Sequence, residues 1–197
     1  MKSKLNRSLK FSLTIAVITF VLAAIFSVIS SSILNNVTWF VGLFVVFIII
    51  IIGIIFDMLG IASAAADEAP FHAMAAEKVN GAKEAIAIIK NADKFSSFCN
   101  DVIGDISGIV SGTATVVVVL QITSILGYSE GSSMELTLSV IFTSFVAAIT
   151  VGGKAIGKYF AINASTNIIM LTGKLIAFVE SKFKVEIISR LNQKRSK

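Results

Sequence analysis

The chain has 197 residues, 55% of them hydrophobic, and a mean hydropathy of +0.88, a balance that excludes an ordinary soluble globular domain. Its 17 Lys and Arg exceed its 12 Asp and Glu by five, but no nucleic-acid recognition motif accompanies that charge. There is also no phosphate-cradling glycine loop, HExxH or paired CxxC, so neither an enzyme nor a bound cofactor is expected.

Lys2, Lys4, Arg7 and Lys10 lead into the uncharged stretch Phe11–Leu34. That stretch is far longer than the roughly 7–15-residue core of a secretory signal, so it reads as a membrane span rather than a cleaved leader. A second uncharged stretch, Val37–Phe56, also reaches the roughly 20 residues that a helix needs to cross a bilayer. Between Ile61 and Ser97 the composition turns Ala-rich and charged, with the only proline, Pro70, and the only histidine, His72, expected at the membrane surface. Phe71–Val79 and Ala82–Lys90 read as two short helices broken at the turn dipeptide Asn80-Gly81. A third span is expected over Phe98–Leu126 and a fourth over Leu136–Phe160. Beyond it, Asn163–Arg190 mixes apolar residues and lysines at helical spacing, which fits a helix at the membrane interface or one packed on the bundle. The polar end, Asn192–Lys197, is expected to be disordered. Cys99 is alone, so it forms no intramolecular disulfide.

Lys and Arg populate the start, the segment between spans two and three, and the end, but neither of the other two connections. The positive-inside rule then puts both termini in the cytoplasm of a multi-pass protein of the cell membrane, its basic ends facing anionic lipid. The expected fold is all-α: an integral membrane protein of four transmembrane helices with a cytoplasmic helical hairpin and a C-terminal amphipathic helix. Residues 1–36 form the basic segment and first span, and residues 37–197 the remainder.

Ionisable residues inside these spans carry the functional clue, because a charge in hydrocarbon costs roughly 2.5–3.5 kcal/mol even on lenient scales. Asp57 closes the second span, Asp101 and Asp105 lie four apart on the third, and Lys154 and Lys158 lie four apart on the fourth. Helical rise places them at a similar depth. They read either as mutual neutralisation that holds a bundle together or as an ion or proton site. Gly104, Gly108 and Gly112 form a groove suited to close helix packing. Gly152-Gly153 is a place where a broken helix would free carbonyl ligands.

Three motifs in order carry a family resemblance. They are Phe56-Asp57-Met58-Leu59-Gly60, then Asn91-Ala92-Asp93-Lys94-Phe95, then Gly153-Lys154-Ala155-Ile156-Gly157-Lys158. In that order they resemble FFSAAETA-, NPDRF- and GEILPK-like motifs of the transmembrane domain of the cyclin-M/CorB magnesium transporter family. The resemblance covers about two thirds of the chain, within residues 37–197. It implies Mg²⁺ as the transported ion and a homodimer in the lipid bilayer. With the residues themselves, it makes Asp57, Asn100, Asp101 and Asp105 the candidate metal ligands. The counterpart of the family's Asn is Asn100, Asp105 or Ser107. Lys154 stands where the family motif carries a Glu, and so becomes a built-in countercharge. This chain lacks the family's cytoplasmic CBS pair and has an extra first span. The competing expectation is a non-transporting interaction or regulatory subunit whose intramembrane charges are structural; a proton-coupled carrier ranks third.

Overall fold

A computed structural model describes residues 2–34, 36–129 and 131–183. Every regular element among them is helical: α1 (Lys2–Leu34), α2 (Trp39–Ala65), α3 (Ala69–Ala76), α4 (Ala82–Lys90), α5 (Ala92–Ser97), a π-helical segment (Phe98–Gly104), α6 (Asp105–Ile125), α7 (Ser133–Asn163) and α8 (Ser165–Phe183). Four stretches are long and apolar enough to cross a membrane: Ser12–Leu34, Trp39–Ala65, Ala92–Ile125 and Ser133–Asn163. The expected extension of the last helix to Arg190 and the polar end at Asn192–Lys197 lie outside the described residues.

The chain divides into two compact units, residues 1–54 with 101–153 and residues 55–100 with 154–197. In the first, α1 packs along α6, where Ile15, Leu22 and Ala23 meet Val102, Ile106 and Val110. Leu34, Val46, Ile50, Ala114, Val118 and Val146 form its second apolar cluster. Gln121 supplies the polar fastening, its Nε2 donating to the carbonyls of Leu34 at 2.7 Å and Val37 at 3.2 Å. It thereby satisfies the terminal carbonyl of α1 and one in the α1–α2 connection, which hydrocarbon could not.

The expected glycine groove is closely packed at its Gly104 end, whose carbonyl lies 3.6 Å from where a Cβ at Gly53 would stand, but not at Gly108 or Gly112. A side-chain carbon at Gly108 or Gly112 would meet nothing within 4 Å, whereas one at Gly53 would lie 2.8 Å from Ser107 Cβ. Close approach therefore depends on glycines of α2, Gly42 against Val118 and Gly53 against Ser107. Nor is there a break at Gly152-Gly153: α7 continues through both, and Gly153 admits the Ile54 side chain. An isolated pair of glycines weakens a helix by about 1 kcal/mol each, which apolar packing readily offsets.

In the second unit the two expected short helices are present as α3 and α4, which pack on one another. Pro70 occupies the first turn of α3, where its missing N–H costs nothing. The helix ends at Ala76, three residues before the expected Val79, because Lys78 adopts a left-handed φ of 59°. The amide of Val79 then donates to Met74 O at 2.9 Å and that of Lys78 to Ala75 O at 3.1 Å, a Schellman closure with lysine where glycine is usual. Gly81, with φ of 87°, opens α4. Ala82, Ala85 and Ile88 bury one face of α4 with Ile169 and Met170 of α8 and Phe71 of α3. Gly173 lies against the Gly81 carbonyl and 3.0 Å from the Ala85 amide, measured from where its Cβ would stand, so only glycine fits that crossing.

Candidate functional site

Asp57 does not close its helix, as the composition suggested. The small residues of Ile61–Ala65 let α2 run on to Ala65, so the carboxylate lies inside a helix and is only 7% exposed. Within the second unit its Oδ1 is 3.7 Å from Lys154 Nζ. That distance is an ion pair without a hydrogen bond. Asp57 Oδ2 is buried and has no hydrogen-bond partner.

Asn100 belongs to the same unit and sits in the π-helical segment. A single π turn widens the helix locally and is a frequent feature of functional sites. The Asn100 Nδ2 donates to Ser96 Oγ at 3.3 Å, while its Oδ1 is buried without a donor. The amide occupies the space that Gly60 leaves, since a side-chain carbon at Gly60 would stand 2.7 Å from Asn100 Cγ. Gly60 is one turn beyond Asp57 on the same face of α2. The fold thus brings an unsatisfied carboxylate oxygen and an unsatisfied amide oxygen to neighbouring turns of one helix.

At 3.7 Å and an effective dielectric of about 20, the Asp57–Lys154 attraction is about 4 kcal/mol. Removing both ions from water costs several kcal/mol each, so the pair by itself is not a clear source of stability. Hard oxygen atoms without donors are the ligands that Mg²⁺ prefers, and Mg²⁺ completes its shell with water.

Asp101 and Asp105 belong to the first unit, and both are exposed. Lys158 is exposed as well. No group of three or more His, Cys, Asp and Glu among the described residues is placed to hold a metal ion. Any metal ligand set here must therefore draw on amide, carbonyl or water oxygens.

His72 has a different task. Its Nε2 donates to Glu68 Oε1 at 2.7 Å, and Lys90 Nζ lies 3.2 Å from the same oxygen, bracing α3 to α4. Hydrogen bonds from His72 and Lys90 hold the Glu68 carboxyl below its usual range. Cys99 is buried and free.

Two roles were not legible in the sequence: that of Gly60, the last residue of the first motif, because it depends on its partner Asn100, and that of Gln121, whose only signal was an amide in an apolar stretch. No family model, curated protein or solved structure matches this chain.

Proposed function

We propose that this protein transports a divalent cation, Mg²⁺, across the cell membrane. In this reading Asp57 and Asn100 are its protein ligands and Lys154 is a displaceable countercharge. The observation that carries the reading is the pair of buried, donorless oxygens, Asp57 Oδ2 and Asn100 Oδ1. A buried polar atom left unpaired costs roughly 1–3 kcal/mol, and such a cost is retained where an ion or water completes the site. The lysine ammonium on its flexible stem holds the carboxylate when no cargo is present and withdraws when Mg²⁺ arrives. Asp101 and Asp105 enter the reading as exposed carboxylates that draw cations to the protein. The cyclin-M/CorB-like motif order is a second support, and with it comes a homodimer as the working form.

Purified protein in liposomes loaded with a Mg²⁺-sensitive dye should show Mg²⁺ entry that Asp57→Ala abolishes. Flux equal to that of protein-free liposomes would remove the transport reading. The topology proposed with it has both termini cytoplasmic. Cysteines at Asn36 and Ser132 should react with an impermeant thiol reagent on whole cells, and one at Lys194 should not. The reverse pattern would invert the orientation.

A second reading, a non-transporting membrane subunit, is favoured by the Asp57–Lys154 pair itself, which neutralises the carboxylate without any cargo. It expects neither flux nor Mg²⁺ binding.

A further inference from the structure

We infer that the outward face of α8 is a docking surface for an anionic lipid bilayer. Taking about 100° per residue, Leu171, Lys174, Leu175, Phe178 and Lys182 fall on one side of this helix. Ile169, Met170, Thr172 and Gly173 fall on the other, and all four are buried in the second unit, where α8 packs on α4. The apolar character of α8 is therefore not used up by its own fold. Leu171, Leu175 and Phe178 remain about 60% exposed, at 62%, 59% and 62%.

Three observations choose the occupant. First, α8 begins at Ser165, two residues after α7 ends at Asn163, so a helix long enough to cross a membrane delivers it to the bilayer surface. Second, the charges on the outward face are both lysines, and the one carboxylate of α8, Glu180, falls on the opposite side. Lys182 Nζ lies 5.7 Å from the centre of the Phe178 ring, the arrangement of a long cation lying along apolar surface with its head free for a headgroup. Third, the sequence beyond α8 adds Lys184, Arg190, Lys194, Arg195 and Lys197 against a single acid, Glu186. A face of leucine and phenylalanine with lysines, continued by a basic sequence, matches the acyl boundary and phosphate layer of an anionic leaflet. This inference does not rest on the cation reading.

The test uses the full chain in nanodiscs, with Cys99→Ser and a single cysteine at Leu175 carrying an environment-sensitive fluorophore. In discs containing phosphatidylglycerol the emission should shift to the blue and be quenched by spin-labelled lipid. In purely phosphatidylcholine discs, at high salt, or with Lys174→Gln and Lys182→Gln together, both effects should fall at least twofold. The same fluorophore at Lys83, exposed on α4, should remain aqueous throughout, and an unchanged far-ultraviolet helical signal should report that each labelled protein is folded. Aqueous emission at Leu175 in every lipid would overturn the proposal. Equal burial in neutral and anionic discs would overturn its electrostatic basis. A shift that grows with the number of copies per disc would assign the face to a second copy of the chain instead.

Discussion

Lys154→Ala is expected to destabilise the protein by roughly 3–5 kcal/mol, because it strands the buried Asp57 carboxylate. The wild-type carboxylate already has one oxygen without a donor, so little remains to absorb the loss. Thermal unfolding in detergent, followed by helical signal, should show the lower midpoint. Combining Lys154→Ala with Asp57→Ala removes both charges and should recover much of the loss, giving a strongly non-additive cycle. Saturating Mg²⁺ should also rescue the single variant if a cation can take the ammonium's place. A double variant no more stable than Lys154→Ala would show that the pair contributes nothing.

The second large effect is a gain. Lys154→Glu puts a carboxylate beside Asp57, and two like charges in one buried site are unstable without a cation or a proton. It also restores the residue type that the GEILPK-like motif carries. Without Mg²⁺ the variant should melt well below the wild type. With Mg²⁺ at about a hundredfold its dissociation constant, mass action should return about 2.7 kcal/mol. The wild type should show a smaller Mg²⁺-dependent rise that Asp57→Ala removes. Calcium at the same concentration should rescue less, since Mg²⁺ tolerates a small site that keeps its own waters. Absence of any Mg²⁺-dependent rise in both proteins would leave the ion pair as structure alone.

The sequence carried the elements better than their partners. Two uniformly apolar runs, and two less uniform ones that carry Asp101, Asp105 and Lys154, marked four helices by their length, since periodicity distinguishes no face in the first two. Ala82–Lys90 coincides with α4, since its alternation of alanine, isoleucine and charge matches one buried face. The end of α3 was misplaced because the sequence advertised Asn80-Gly81, whereas Lys78 closes the helix in a left-handed conformation that lysine rarely adopts. Glycine spacing on α6 said where a helix could approach but not whether one does. The approach is made at Gly42, Gly53 and Gly60 of α2, 11 and 7 residues apart and so on one face of that helix, a spacing hidden among uniformly apolar neighbours. Of the site, Asp57 and Lys154 were legible as charges out of place. The π-helical segment that holds Asn100 was not, since no residue type specifies its hydrogen-bond pattern.

Calorimetric titration of Mg²⁺ into the purified protein asks whether Asp57 and Asn100 bind the ion. The expected result is a saturable heat of binding that is lost in Asp57→Ala and sharply weakened in Asn100→Ala, with both variants retaining the helical content of the wild type. No saturable heat in the wild type, or a heat that survives both substitutions unchanged, would contradict it.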